Sequence, residues 1–136
     1  MSSFGRKAAE ITKSASEKRN LKTKTRLDRA GGFFLALTTV ESPPQANRLA
    51  KALVRRRLAA CVNILPGAVS HYRWKGRLER SNELLLLIKT GRRSMNGLNR
   101  FLRENHPYEL PELIFIPIAR GEAGYLRWLD SSLETD

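Results

Sequence analysis

The segment His106-Pro-Tyr-Glu-Leu-Pro-Glu112 concentrates chemically versatile side chains in one short stretch. It holds an imidazole, a phenol and the carboxylates of Glu109 and Glu112, and its two prolines favour a rigid, non-helical connection. Such a set could ligate a divalent ion, hold a small ligand or transfer protons. In an equally tenable structural interpretation, Tyr108 fills a helix–sheet junction and the carboxylates pair with arginines. The residue types alone leave both interpretations open.

Other soft or borderline metal ligands are few. Cys61, His71 and His106 do not fall at the Cys-x2-Cys or His-x3-His spacings of preformed metal sites. Cys61 follows two alanines at the start of a predicted strand, where a free cysteine is more often a small buried hydrophobe. Spacing therefore demonstrates no metal site. The carboxylates of the proline-containing segment also lack an evident nucleophile partner, so we do not expect an enzyme.

Residues 59–90 predict one very long β-hairpin. Two runs of strand-favouring residues flank Lys75-Gly76, a connection typical of tight hairpins, and Pro66-Gly67 should bend or bulge the first arm. Arms of about 14 residues would extend roughly 45 Å, beyond the roughly 30 Å breadth of a compact domain of this size. The overhang carries Trp74 and needs a surface to rest on, and we expect that surface to belong to another copy of the chain.

The elements around this hairpin alternate in a recognisable order. We expect a strand over 33–39, a helix that begins at Ser42, a central strand over 84–88, a helix over 94–105 and a strand over 113–118. The first helix should bury the stripe formed by Ala46, Leu49, Ala50, Leu53 and Val54. The second should bury Met95, Leu98, Phe101 and Leu102, and a short C-terminal helix is marked by Tyr125, Leu126, Leu129 and Leu133.

The resulting order, β-α-β-β-α-β-α, predicts the α+β class. Its first six elements match the ferredoxin-like βαββαβ sandwich, in which both helices lie on one face of an antiparallel sheet. The long hairpin joins the second and third strands of that pattern. The opposite sheet face would need cover, which is a second reason to expect an oligomer.

Composition limits the number of domains and the compartment. The chain has 136 residues, of which 41% are hydrophobic and 28% charged, enough for one folded domain, which we place at 32–136. Its single cysteine excludes an intrachain disulfide, and the longest aliphatic run, Leu84–Ile88, is far shorter than the roughly 20 residues that span a bilayer. We therefore expect a cytoplasmic protein of a reducing compartment, with no membrane partner.

The net charge of +12 is unevenly distributed. Residues 1–30 carry nine Lys or Arg against three acids, a net charge of +6 and half of the excess. Residues 1–31 have few large apolar side chains and no sustained periodicity, so we predict a disordered basic extension. It has no apolar core of a secretory signal. Its serine and basic bias faintly resembles an organelle transit peptide, although Glu10, Glu17 and Asp28 argue against that interpretation.

Five motifs, in order along the chain, carry a resemblance to a known family. They are AACVNILPG (59–67), YRWKG (72–76), LLIKT (86–90), HPYELPE (106–112) and YLRWL (125–129). Together they resemble the CutA family over residues 33–133. The resemblance implies a ferredoxin-like fold, a homotrimer whose hairpins embrace neighbouring subunits, an architecture similar to PII signalling trimers, and a role in divalent cation tolerance with binding of copper and similar ions. It brings no settled catalytic activity.

Only part of the set of metal ligands that the resemblance implies is present in this chain. Some members are described as ligating copper through a cysteine in the first strand and two adjacent histidines, and the corresponding positions here are Thr38, Asn105 and His106. Only His106 is retained. A single imidazole binds weakly, so we expect weak binding of Cu(II) or another divalent metal through His106, with Glu109, Glu112 or, less readily, Cys61 as further ligands. No organic cofactor is expected.

Two alternatives belong to other functional classes. The first is a PII-like sensor in which Asn63, Trp74, Lys89 and Tyr108 converge on a small molecule in clefts between subunits; the sequence offers no glycine-rich phosphate loop for a nucleotide. The second is nucleic-acid binding. Residues 83–90 lack the aromatics of RNA-binding strands, so nucleic acid is not expected as a partner except, weakly, for the basic tail.

Overall fold

The computed structural model describes residues 27–29 and 32–134 and shows an α+β architecture. Along the chain the elements are β1 Leu27–Arg29, β2 Phe33–Val40, α1 Pro43–Arg55, β3 Cys61–Trp74, β4 Arg77–Gly91, a 3-10 turn Arg92–Ser94, α2 Met95–Asn105, β5 Ile114–Pro117, β6 Arg120–Glu122 and α3 Ala123–Leu133. The predicted order is confirmed from β2 to α3, with β6 as an addition. Most of the predicted extension over 1–31 lies outside the described residues. Its described part, Leu27–Arg29, forms β1, which pairs with β6 in antiparallel.

Strands β2 to β5 form one four-stranded antiparallel sheet in the order β3-β4-β2-β5. This is the strand order of the ferredoxin-like sandwich, so the predicted fold is confirmed. Strand β4 lies inside the sheet, where it pairs with β2 from Phe33–Gly91 to Val40–Leu84 and with β3 on its other side. Strand β5 is an edge strand, consistent with Pro117 at its end.

Helix α1 begins where local chemistry predicts. Ser42 is extended and its hydroxyl accepts a hydrogen bond from the Gln45 N–H at 3.4 Å, while two prolines fill the first helical turn. The Gln45 side-chain oxygen has no partner among the described residues, so Gln45 does not return a hydrogen bond to Ser42 as it would in a capping box. Ala50 is half-buried and Val54 is 44% exposed. The buried stripe is therefore narrower than predicted, because both residues lie at its margin when each residue advances about 100° around the helix.

The core lies between the two helices and one face of the sheet. On α2, Leu98, Phe101 and Leu102 are buried as predicted, whereas Met95 is only half-buried. Beneath the helices the even-numbered residues of the central strand, Leu84, Leu86 and Ile88, are buried. The alternate residues Leu85 and Leu87 face the other way and are half-buried in the single chain. We call that opposite surface the open face.

The long hairpin is confirmed. Lys75 and Gly76 have φ values of 50° and 79°, the positive values that a type I′ turn requires. A register shift lies between Leu65 and Ala68, where Gly67 adopts φ 87°, so the predicted bulge at Pro66-Gly67 is present. The arms have 14 and 15 residues, and at about 3.4 Å per residue they extend well past the helices.

The open face is only partly covered. Helix α3 packs on one end of it, where Leu129 and Leu133 are buried with Ala60. Elsewhere Leu65, Ile114 and Ile116 are 42%, 49% and 44% exposed. None of the helices in the described part of the chain has the length and apolar character needed to cross a membrane.

Candidate functional site

The proline-containing segment forms the connection between α2 and β5. Helix α2 ends at Asn105, and His106 caps it in an extended conformation with its N–H bonded to the Leu102 carbonyl at 2.8 Å. The helix ends there because the residue before Pro107 is restricted to extended conformations. His106 is 9% exposed, so its imidazole is directed into the protein rather than into solvent.

Both ring nitrogens of His106 are engaged. Nε2 lies 2.9 Å from the carbonyl oxygen of Thr39 on β2, and the backbone N–H of Tyr108 donates to Nδ1 at 3.1 Å. Because a carbonyl only accepts and an N–H only donates, the imidazole is neutral, with its proton on Nε2. Burial lowers its pKa below 6.5, against the opposing effects of the Thr39 carbonyl and the Glu83 charge. The imidazole thus links the loop between α2 and β5 to strand β2.

Tyr108 extends this connection to the central strand. Its hydroxyl donates to Oε2 of Glu83 on β4 at 2.7 Å, and its ring contacts the His106 ring edge-on at a centroid distance of 4.8 Å. Burial, followed by the hydrogen bond to Glu83 and its charge, raises the pKa of the Tyr108 phenol far above its usual value. The phenol therefore stays protonated at physiological pH and acts as a hydrogen-bond donor.

Glu83 is a buried carboxylate, 7% exposed. Burial alone would raise its pKa, but hydrogen bonds from the side chains of Ser70, Tyr108 and Thr39 outweigh that effect and lower it below 4.5. Three hydroxyl groups from three separate segments thus hold Glu83 as an anion. We call Thr39, Ser70, Glu83, His106 and Tyr108 the Glu83 cluster.

A second carboxylate lies close to this anion. Glu112 is exposed, and partial desolvation, followed by the negative charge of Glu83, raises its pKa above 4.5. Among the described residues, the ion pairs within 4.0 Å are Lys75–Glu109 and Arg93–Asp130, and neither involves Glu83 or Glu112. The repulsion between these two carboxylates is therefore not balanced by a paired lysine or arginine.

The remaining predicted site residues lie elsewhere in the chain. Cys61 and Asn63 are neighbours on one face of β3, with the Cys61 sulfur 3.8 Å from the Asn63 side-chain oxygen. Lys89 pairs opposite Cys61, and its ammonium lies 5.5 Å from the centre of the Tyr125 ring. Since Lys89 is six residues from Glu83 along β4, Cys61 is separated from the Glu83 cluster by roughly 20 Å.

The tip of the hairpin is a third location. Trp74 is half-buried there, with the Lys75 ammonium 5.6 Å from its ring centre. Lys75 also pairs with Glu109 at 3.9 Å, and both side chains are largely exposed. The predicted site residues of one chain therefore lie in three separate places: beside Glu83, around Cys61 and at the tip of the hairpin. Among the side chains that the structure describes, within residues 32–134, no group of three or more His, Cys, Asp and Glu could hold a metal ion.

The sequence interpretation missed the central member of the cluster, Glu83. The available signal was an acid directly before the apolar run Leu84–Ile88, in a strand predicted to be buried. A carboxylate at such a position needs hydrogen-bond donors around it. Thr39 and Ser70 could not have been assigned as those donors without the register of β3 and β4, which depends on the bulge at Pro66-Gly67.

A protein-family model described as "CutA1 divalent ion tolerance protein" matches residues 34–132, within the predicted domain. The chain belongs to the CutA1 family. Among CutA1 relatives, the divalent-cation tolerance protein CutA of Thermus thermophilus is 48% identical over 95 residues, which cover 70% of this chain and 92% of the relative.

Solved CutA1 structures agree with the fold. CutA from Synechococcus elongatus aligns with a TM-score of 0.79 at 37% identity, covering 82% of this chain and 99% of that chain. A second structure of that protein, complexed with a Bis-Tris molecule, aligns with a TM-score of 0.73 over 79% of this chain and 99% of that chain. The sequence and the fold both agree with the CutA1 family.

Proposed function

We propose that this chain is a divalent cation tolerance, or metal-ion response, protein that binds Cu(II) or another divalent ion rather than catalysing a reaction. The proposal is supported by two acidic side chains, Glu83 and Glu112, of which Glu112 has a pKa raised by desolvation and by the Glu83 charge, and neither of which pairs with a described lysine or arginine within 4.0 Å. A divalent cation beside both carboxylates would neutralise them, as hard or borderline cations do when oxygen ligands surround them. The description of the family as divalent ion tolerance proteins supports this function.

The donor atoms favour weak binding. Carboxylate oxygens suit Mg²⁺, Ca²⁺ and Mn²⁺, whereas imidazole and thiolate suit copper and zinc. His106 would have to give up its bond with either Thr39 or Tyr108 to ligate a metal, and Cys61 is too distant within one chain. Glu109 is exposed and would have to leave Lys75. In our proposal Glu112 is the principal ligand, with His106 and Glu109 as secondary ligands.

Calorimetric titration of the full chain with Cu(II), Zn(II) and Mn(II) tests this proposal. Glu112→Gln should weaken binding of every ion, because it removes one charge from the carboxylate pair. The matched control is Glu104→Gln, which removes an exposed carboxylate on α2 and should leave binding unchanged. His106→Ala reports whether the imidazole contributes. Equal affinity in the parent and Glu112→Gln, or no saturable binding of any ion, would contradict the proposal.

We also propose that the functional form is a homotrimer joined through the open face. The exposed apolar side chains of that face and the overhanging hairpin support an assembly of copies. Light scattering coupled to gel filtration should give three times the chain mass of 15.4 kDa. Ile116→Asp should reduce that mass, whereas Val54→Asp should not, although Ile116 and Val54 are both 44% exposed. A monomeric parent would overturn this assembly.

A PII-like small-molecule sensor is the second candidate. The structure of the Synechococcus elongatus relative complexed with a Bis-Tris molecule favours it. In this chain Tyr108 contacts the hairpin at Glu83, Trp74 lies at its tip, and Asn63 and Lys89 lie near its base. A shared ligand cleft would therefore form only between copies. A thermal-shift screen of small metabolites, repeated on Lys89→Gln, tests this alternative. No stabilisation by any compound would argue against it.

A further inference from the structure

The outer surfaces of α1 and α2 are strongly basic. Helix α1 presents Arg48, Lys51 and Arg55 at i, i+3 and i+7, and α2 presents Arg100 and Arg103 at i and i+3. All five are exposed. Each follows a buried residue of its own helix by two positions, about 200° around the axis, and so points away from the core. We call these five residues the basic helix face.

This charge is not balanced nearby. None of the five side chains lies within 4.0 Å of a carboxylate in the described part of the chain, where the ion pairs involve Lys75 and Arg93. Within the two helices the single acid is Glu104. A row of uncompensated cations on a folded surface raises the local concentration of a polyanion.

A sixth cation is held in a fixed position beside this face. Arg56, which caps the end of α1, places its guanidinium 4.7 Å from the centre of the Phe101 ring on α2. Stacking on an aromatic ring restricts the side chain, so less conformational freedom is lost when it binds a ligand. Asn96 and Asn99 are exposed next to Arg100 and add neutral hydrogen-bond donors.

We propose that the basic helix face binds the phosphate backbone of nucleic acid. Five of the six cations are arginines, whose planar guanidinium matches phosphate oxygens in a bidentate geometry. Successive cationic residues of α1 advance by about 4.5 and 6 Å along the helix axis. Such a row of positive charges suits a ligand with regularly repeated negative charges, such as a nucleic-acid strand.

The composition of the face argues against an anionic membrane as the partner. Membrane-surface helices bury Trp, Phe or Leu side chains between the lipid headgroups. On α1 and α2 the exposed large hydrophobic residue is Val54 alone, at the margin of the helix. The basic helix face also lies on the side of the sheet away from the open face, so it stays accessible when copies assemble as proposed. The inference goes beyond the metal-response function and does not depend on it.

Fluorescence anisotropy with a labelled 20-bp DNA duplex, using the full chain at several KCl concentrations, tests the proposal. The helix-face variant is Arg48→Gln, Lys51→Gln, Arg100→Gln and Arg103→Gln. The matched control, Arg73→Gln, Arg77→Gln, Arg120→Gln and Arg127→Gln, changes the net charge equally at exposed positions elsewhere. Glutamine is a good helix former at the four helix positions, and the control positions are exposed, so both variants should keep their folds. Circular dichroism checks this, and the double variant Arg48→Gln and Arg103→Gln replaces the helix-face variant if that one unfolds.

We expect the helix-face variant to bind at least about tenfold more weakly at 100 mM KCl, with the slope of log K against log salt smaller by roughly 0.9 for each phosphate that the variant no longer neutralises. The control should stay within about twofold of the parent. Equal weakening in both variants would show that only net charge matters, and unchanged binding in the helix-face variant would show that the basic tail is responsible. Parent protein that binds phosphatidylserine vesicles but not the duplex would favour a membrane. Each of these three results overturns the proposal.

Discussion

The Tyr108 hydroxyl donates a hydrogen bond of 2.7 Å to the Glu83 carboxylate and so joins the loop after α2 to the central strand. These residues are 25 positions apart in the sequence, so no short-range pattern reveals the bond between them. The carboxylate stays ionised although it is buried, because hydroxyl groups replace the water that it loses. The bond gives the loop a fixed position relative to the sheet.

Tyr108→Phe should destabilise the protein by about 1.5 kcal/mol at pH 7, since a buried charged acceptor loses one donor. Urea unfolding at equal protein concentration measures this effect, because the stability of an oligomer depends on concentration. Tyr72→Phe is the matched control. Its hydroxyl bonds to Ser81 at an exposed position, so the loss should be below about 0.5 kcal/mol. Equal losses of stability in the two variants would show that the hydrogen bond to buried Glu83 contributes no more to stability than an exposed hydrogen bond does.

Much of the fold could be predicted because its signals are local. The turn at Lys75-Gly76, the cap at Ser42 and the helical spacing of Leu98 and Phe101 depend on residues a few positions apart. The Glu83 cluster could not be predicted in the same way. It depends on which β3 residues lie beside Glu83 after the bulge, and on the path of a loop that two prolines stiffen without specifying its direction.

The predicted metal ligands also depend on contacts between distant residues, which the sequence does not reveal. Residue type identifies His106 as a candidate ligand, but its ring nitrogens bond to Thr39 and Tyr108. Neither bond could be read from composition or spacing, because one depends on where the helix end meets β2 and the other on the turn at Pro107. Cys61 lies far from the cluster because the hairpin separates them along its length.

Substitutions at the two adjacent residues of the hairpin turn should change the stability of the protein in opposite directions. Gly76→Ala should cost about 1 kcal/mol, because it forces a side chain into positive φ. Lys75→Asn should gain a few tenths of a kcal/mol, because asparagine tolerates the left-handed conformation that Lys75 now occupies. Lys75→Ala is the control for the exposed pair with Glu109, which contributes little. If Lys75→Asn and Lys75→Ala are equally stable in urea, backbone conformation does not limit this turn.

Two fully buried threonines should respond in opposite ways to replacement by valine. Thr38 and Thr90 are both 0% exposed, but the Thr38 hydroxyl has no partner among the described residues, whereas the Thr90 hydroxyl donates to the Leu58 carbonyl at 2.8 Å. Thr38→Val should stabilise by about 1 kcal/mol, and Thr90→Val should destabilise by about 1 to 2 kcal/mol. Differential scanning calorimetry distinguishes them. Destabilisation by Thr38→Val would mean that the Thr38 hydroxyl has a hydrogen-bond partner after all.

The neutral, buried state of His106 predicts a loss of stability on acidification. Burial lowers its pKa below 6.5, so the unfolded chain takes up a proton near pH 6.5 while the folded protein does not. Unfolding therefore binds protons between pH 6.5 and the lower folded pKa, and stability falls as the pH falls through this window, by at most about 1.4 kcal/mol per pH unit. Below pH 4.5 the lowered pKa of Glu83 adds a second loss as the carboxylate becomes protonated.

His106→Gln isolates the first of these two losses. Glutamine retains an amide N–H that can donate to the Thr39 carbonyl but does not titrate. Urea unfolding at pH 7, 6 and 5 at constant ionic strength should therefore show a flatter pH dependence for this variant than for the parent. His71→Gln removes an exposed histidine on β3 and should leave the parent's dependence unchanged. A parent protein as stable at pH 5 as at pH 7 would mean that His106 takes up a proton as readily in the folded protein as in the unfolded chain, so the bond from the Tyr108 N–H to Nδ1 would not keep the ring neutral.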